Sequence, residues 1–560
     1  MTTARALPGI AGAAAAVAVV TLLARVVGLG RWLVFEGSVG SGWTGTAYAG
    51  ANIVPNVLFE VVAGGALAAS VVPVLASSMV RGDPDETARV ASALLTWTVL
   101  VLTPVALALA VLARPVARLL LGAGAPAPVA DSAGRMLLAF APQVVLYGVG
   151  IVLTGVLQAH RRFLGPALAP LLSSVVVVGV YLAFAAATGS PGRPIDWLPG
   201  RAGEALLAWG TTAGVLVLSL PLLVPVHRAG VRLRPTLRLD PAVARRVRTL
   251  AAAGLAGLVA QQCLVLVTAR LATSSGGVGA LNVYQYTQAV YLLPYAVLAV
   301  PLATAAFPVL AGHAAASDGD RYASVLVRST RAVVLVGLAG AAVLVAVAPA
   351  VGAVFTALRG GSPALRAMPV ALVAYAPGLV GFALIAHLGR ALLAADAARW
   401  AARSTVAGWG TAVLLSVLLV PALAGPGTDP STDPSTAARA TLLALGISSS
   451  AGMTVAGGLL LVGAARLRVG TVRVAQQLSG SAPVVLRFLA VAAVAVAAGR
   501  FGTVWALGSG PGSGPAGPAL LRSVVAGAAG AAVAGAVLAG GLALVARDDL
   551  RSLRPARWRA

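Results

Sequence analysis

The chain has 560 residues, 59% of them hydrophobic and only 10% charged, with a mean hydropathy of +0.93. A soluble globular domain of this length does not show that balance, so composition alone places the chain in a membrane. A formal net charge of +24 invites a nucleic-acid reading. However, the basic residues, all arginine, punctuate the gaps between apolar runs and form no single soluble patch, which speaks against a nucleic-acid partner.

A helix needs about 20 apolar residues to cross a bilayer. In chain order about fourteen stretches qualify: 9–30, 45–76, 88–113, 135–159, 165–188, 203–226, 247–272, 279–310, 328–350, 366–391, 401–423, 438–464, 482–502 and 520–546. The first run lacks a small-residue cleavage site followed by a polar mature segment, so it reads as a retained span and not a signal peptide. Connectors such as His160-Arg161-Arg162-Phe163 leave no room for a soluble domain, and the longest polar stretch, Gly425 to Ser435, reads as an exposed loop. The expected fold class is an all-α polytopic membrane protein.

Arginine placement sets the expected orientation. With a cytoplasmic N-terminus, the inner loops collect Arg81, Arg89, Arg161, Arg162, the cluster from Arg228 to Arg248 and the tail from Arg547 to Arg559. The outer loops keep fewer, among them Arg114, Arg118, Arg193 and Arg201. That bias predicts both termini on the cytoplasmic side.

An internal repeat predicts two halves. Ser70-Val-Val-Pro-Val-Leu-Ala76 resembles Ala305-Ala-Phe-Pro-Val-Leu-Ala311, and at the same offset Asp83 and Asp85 fall on Asp318 and Asp320. The offset crosses an even number of spans, so the halves share one orientation and form a parallel repeat. The expected organisation is an N-terminal lobe over 1–226 (helices 1–6), a C-terminal lobe over 227–464 (helices 7–12), and a terminal helix pair with a basic tail over 465–560.

Catalytic patterns are scarce. His160, His227, His313 and His387 form no His-Glu-x-x-His arrangement, and there is no Gly-Lys-Ser/Thr phosphate loop. The single Cys263 excludes an intrachain disulfide and cysteine-based metal sites. The expectation is therefore a transporter without a cofactor, not an enzyme.

What remains is a small set of polar residues inside apolar runs. A charge at the centre of a span costs about 2.5–3.5 kcal/mol, so such residues usually face a cavity. Arg25 and Arg31 flank Gly28 and Gly30, and their spacing keeps them near one side of the first helix. Snorkelling to the interface is the competing reading for both. Glu60 follows Pro55 by five residues and precedes Gly64. It can partner Arg25 or Arg270, carry a proton or cation, or serve a structural ion pair. Arg270, closing the seventh span, can equally snorkel. Asn52, Pro55 and Asn56 are expected to break the helix ladder and turn carbonyls toward a cavity. Gln261, Gln262, Tyr284, Gln285, Tyr286, Gln288 and Pro294 read either the same way or as a polar packing seam.

These residues carry a resemblance. Arg25-Val-Val-Gly-Leu-Gly-Arg31, Ala51-Asn-Ile-Val-Pro-Asn56, Gly64-Gly-Ala-Leu and Val71-Val-Pro-Val-Leu75 resemble the opening of the MurJ/MviN family. Tyr291-Leu-Leu-Pro-Tyr-Ala-Val-Leu-Ala-Val resembles its eighth helix. The resemblance implies fourteen helices in two six-helix lobes plus a terminal pair that lines a groove for a polyprenyl tail. It also implies outward flipping of a polyprenyl-diphosphate-linked saccharide, lipid II, by alternating access in the bacterial plasma membrane during peptidoglycan synthesis. Arg25 and Arg31 match cavity arginines that meet the pyrophosphate. Membrane lipids surround such a protein, cell-wall synthesis enzymes are candidate partners, and a coupling ion or the membrane potential would supply the energy.

The chain departs from the pattern. Where many relatives place two arginines after the Pro-Asn of span two, it has Phe59 and Glu60; an arginine of span eight is Ala289, and an early acidic position is Thr46. The competing function is a cation-coupled exporter of small molecules or another polyprenyl-linked glycan, with Glu60 as the ion carrier.

Overall fold

In lipid a backbone must satisfy its own polar groups, and long apolar runs do so as helices. The computed structural model describes residues 8–61, 75, 84–122, 124–189, 194–238, 241–358, 362–425, 433–469, 472–508 and 516–545. Apart from an antiparallel ladder of Arg468–Val469 with Val472–Arg473, the regular structure in these residues is helical. Among the described residues eleven helices are long and apolar enough to cross a membrane, or twelve if one bent pair counts as a span. Two further expected spans, 9–30 and 45–76, fall on the first two helices. Much of the second, including Gly64 and most of the first repeat copy, lies outside the described residues. Contacts divide the chain into two units, Met1–Ser274 and Ser275–Ala560.

The N-terminal unit contains α1 (Pro8–Ser38), α2 (Trp43–Glu60), α3 (Pro84–Val111), α4 (Ala113–Leu121), α5 (Ala127–Phe140), α6 (Gln143–Ala159), α7 (Leu164–Thr188), α8 (Arg201–Ser219), α9 (Leu223–His227) and nearly all of α10 (Pro241–Gly276). α1 packs along α7 and α7 along α8, while α2 rests on α5 and α6. The turn from α1 to α2 is fixed by the connector before α8. The Trp43 amide donates to the Ile195 carbonyl (2.9 Å), and the Thr44 hydroxyl donates to the Trp197 carbonyl (2.7 Å). Gly42 is required there, because a Cβ would stand 2.7 Å from the Ile195 oxygen. The same end carries a bidentate ion pair, with Arg135 of α5 donating through Nε and Nη2 to the two oxygens of Glu204, each at 2.6 Å. Glu204 opens α8, so its charge also favours the helix N-terminus.

The C-terminal unit contains α11 (Ala280–Pro294), α12 (Val300–Ala315), α13 (Gly319–Ala357), α14 (Met368–Tyr375), α15 (Gly378–Ala394), α16 (Ala398–Ala424), α17 (Pro434–Ala465), α18 (Val474–Ser479), α19 (Ala482–Gly508) and α20 (Ala516–Val545). The 39-residue α13 is its post, flanked by α12, α15, α19 and α20. Small residues set these contacts, since lipid supplies no hydrophobic drive between helices and close backbone approach must do the work. A Cβ at Gly408 would stand 2.7 Å from the Gly452 carbonyl oxygen, and one at Gly499 2.9 Å from that of Gly530. Thr503 ties α19 to α13 by donating to the Ala346 carbonyl at 3.0 Å.

Two expectations change. The run 366–391 is not straight: it bends by 53° between Tyr375 and Gly378. Pro377 lies in that break, where it lacks an amide and crowds the preceding turn. Conversely, Pro55 does not interrupt α2, which runs on to Glu60 with Pro55 buried inside it. One proline removes one rung of the ladder, and packing on α5 and α6 holds the rest.

Candidate substrate site

α2 presents its polar residues in one stripe. Asn52, Asn56 and Glu60 recur every four residues, which stacks them on one face. Exposure rises along the stripe: Asn52 is half-buried, while Asn56 and Glu60 are exposed. Asn52 keeps a buried Oδ1 with no hydrogen-bond partner. Asn56 accepts from the Tyr147 hydroxyl of α6 at 3.2 Å, and Phe59 lies 4.4 Å from the Tyr147 ring centroid to centroid. That double contact fixes the lower half of α2 on α6. Glu60 itself has no hydrogen-bond or ion-pair partner among the described residues.

Arg31 of α1 joins this wall. It stands one turn before Phe35, whose ring meets those of Tyr48 and Tyr181. Arg31 is half-buried, its guanidinium carbon is 5.5 Å from the Trp32 ring centroid, and its Nε is buried without a hydrogen-bond partner. An arginine inside a membrane protein normally ends in a carboxylate or a carbonyl. Here a donor is left open.

One end of the wall is closed by aromatic residues. The Tyr48 hydroxyl hydrogen-bonds those of Tyr181 and Thr211, each at 2.9 Å. The Phe35 ring centroid is 5.3 Å from that of Tyr48 and 5.1 Å from that of Tyr181. A buried carboxylate, Glu36, sits beside this cluster and accepts from the Ser41 hydroxyl at 3.1 Å.

The other expected residues are distributed differently. Arg25 is exposed on α1, and a Cβ at Gly28 would meet no atom within 4 Å, so that stretch of α1 faces open space. Arg270 lies elsewhere: its guanidinium is next to Gly122, whose φ of 73° and missing side chain make the room. Pro294 belongs to the C-terminal unit, where the π turn Tyr295–Ala299 follows it. Its neighbours form an aromatic seam, Tyr286 stacking on Phe355 at 4.9 Å and Tyr291 meeting Tyr375 at 5.7 Å. No group of three or more His, Cys, Asp or Glu that could hold a metal occurs among the described residues.

Sequence reading missed Glu36 and the tyrosines. Glu36 carries the same signal that picks out Glu60, a carboxylate after an apolar run. Tyr48, Tyr147 and Tyr181 carry none, because a tyrosine in a span reads equally as core.

Comparison with known proteins adds a family and a fold. The family model described as lipid II flippase MurJ matches residues 37–509. A probable lipid II flippase MurJ of Synechocystis is 33% identical over 232 residues, covering 40% of this chain and 41% of that protein. The lipid II flippase MurJ of Burkholderia cenocepacia is 28% identical over 372 residues, covering 65% of this chain and 69% of its own length. Among solved structures, a lipid II flippase MurJ in an inward closed conformation superposes with a TM-score of 0.69 at 15% identity, covering 96% of this chain and 99% of that one. An inward-facing multidrug resistance MATE family transporter of the MOP superfamily gives a TM-score of 0.64 at 14% identity, covering 82% and 96%. At such identities the structural likeness speaks for the fold alone.

Proposed function

The chain belongs to the lipid II flippase MurJ family, and on that premise we propose that the polar wall of its N-terminal unit receives the diphosphate of the lipid-linked saccharide. It is a multi-pass membrane transporter and not an enzyme, and it flips lipid II in peptidoglycan synthesis. The observation that carries the site assignment is the half-buried guanidinium of Arg31, which has no ion-pair partner among the described residues. A guanidinium is a planar fork of donors matched to phosphate oxygens, and an open one inside a span is a ready site for such an anion. Arg25, on the open stretch of the same helix, supplies a second positive charge along the path.

On this reading the protein lies in the bacterial plasma membrane with both termini cytoplasmic, takes the head group from the inner side and releases it outside by alternating access. With no nucleotide-binding motif in the sequence, the membrane potential or a coupled ion drives the cycle. The test is complementation. In a cell depleted of its own flippase, Arg31→Ala at normal membrane levels is expected to give neither growth nor surface-exposed lipid II, with Arg31→Lys intermediate because lysine keeps the charge and loses the fork. Full growth of the alanine variant would remove Arg31 from the site.

A further inference from the structure

Glu60 is the residue that a site for a diphosphate alone does not explain. A carboxylate in the wall repels a polyanionic head group, yet none of the described residues neutralises it. Two cations of its unit are engaged by other carboxylates, and a third lies against backbone. Arg135 is taken by Glu204, Arg118 by Asp131 at 3.0 Å, and Arg270 lies against Gly122. Arg31, one turn before the Phe35 that meets Tyr48, and Glu60, next to the Phe59 that docks on Tyr147, make no ion pair with one another. Opposite charges kept apart on one wall do not cancel, so both stay available to a ligand. The segment that carries Glu60 is also fixed, since Asn56 and Phe59 are both docked on Tyr147. From Asn52 to Glu60 the stripe rises about 12 Å, enough to contact a head group at two separated points.

We propose that Glu60 binds a primary ammonium carried by the same head group whose diphosphate meets Arg31, which makes the site selective for a zwitterionic lipid. This rests on the reading of Arg31 given above. The ammonium can come from a diamino acid in the peptide stem or from a de-N-acetylated sugar; both offer a carboxylate the same charge-assisted hydrogen bond. Glu60 therefore acts in specificity, admitting head groups with a free amine over those whose amine is blocked.

The test uses the full-length protein in nanodiscs and three lipid II probes. The first has a free stem amine, the second has that amine acetylated, and the third has the stem amine acetylated and a free amine on the sugar. If the stem supplies the ammonium, the wild type is expected to bind the first about tenfold more tightly than the second, and if the sugar supplies it, to bind the third about tenfold more tightly than the second, as for the loss of one charge-assisted hydrogen bond. In Glu60→Gln that ratio is expected to fall to about one, and in Glu60→Asp, which keeps the charge, to stay well above one. Tight wild-type binding of the third probe would place the amine on the sugar, and weak binding on the stem. Equal wild-type affinity for all three lipids, or a ratio that survives Glu60→Gln, overturns the ammonium site and leaves the diphosphate reading standing. Affinities that are all indifferent to Arg31→Ala overturn the diphosphate reading itself.

Discussion

The two units differ in which polar groups they leave without a partner. In the C-terminal unit polar groups mostly close on neighbours: Ser450 donates to the Ala374 carbonyl at 2.6 Å, and His387 meets the Ser329 hydroxyl at 3.0 Å. The polar atoms it leaves unpartnered are mainly hydroxyls, with Arg390, near the end of α15, the charged exception. The N-terminal unit leaves the hydroxyls of Ser132 and Ser219, the amide oxygens of Asn52 and Gln143 and a guanidinium nitrogen of Arg31 buried and unpartnered, and it adds the exposed carboxylate of Glu60, which has no partner among the described residues. Unpartnered charge is costly in a membrane and persists where a ligand or water meets it. The difference lies at α1 and α2, where Arg31 and Glu60 put opposite charges without partners, whereas the buried charged atoms left unpartnered in the C-terminal unit belong to Arg390 alone among the described residues.

Substitutions can break that contrast, and the largest effect falls on the open charge. Arg31→Ala is expected to weaken lipid II binding by about ten- to a hundredfold, the worth of hydrogen bonds to a charged group. Arg390→Ala should leave binding within about twofold, well under one kcal/mol. Equal losses at the two sites would erase the distinction.

The next effect concerns stability. Gly408→Val forces a side chain into the Gly452 backbone and is expected to destabilise the protein by about 1–3 kcal/mol. Gly28→Ala, with open space around it, should leave thermal unfolding in detergent unchanged.

Arg135→Ala tests the ion pair at the edge of the N-terminal unit. Glu204 is only 6% exposed but Arg135 is 38% exposed, so solvent screening lowers the expected loss to about 1–2 kcal/mol, readable in the same thermal assay. The smallest effect is at Asp433, the N-cap of α17. Hydrogen bonds from Thr436 and then Ser435 hold its carboxyl below the ordinary aspartate value. A depressed folded value means the cap contributes above the unfolded value near about 4 and is lost as pH falls through the folded one. Asp433→Ala should therefore lower the unfolding temperature slightly at pH 7, with the gap from wild type closing in acid.

Much of this architecture was legible in the chain. Long apolar runs must be helical in lipid, so the all-helical polytopic class follows from composition. Arg31 and Glu60 stood out for the same reason, as charges where charge is costly. The contrast between them was not legible. The docking of Asn56 on Tyr147 joins residues 91 apart in the chain, which no local pattern shows. Arg270 looked equivalent to Arg31 until Gly122 was seen to receive it. Pro55 looked like a break because a proline's local cost can be read from sequence, while the packing on α5 and α6 that carries α2 past it cannot.

The central claim is that an open guanidinium in the N-terminal wall holds the diphosphate during flipping. Its most direct test is translocation of lipid II radiolabelled in the sugar, with the stem amine left free, by purified protein in proteoliposomes. The account predicts rapid exposure of the label to an external enzyme with the wild type, and none above empty vesicles with Arg31→Ala inserted at equal density. Wild-type rates from the alanine variant would contradict it.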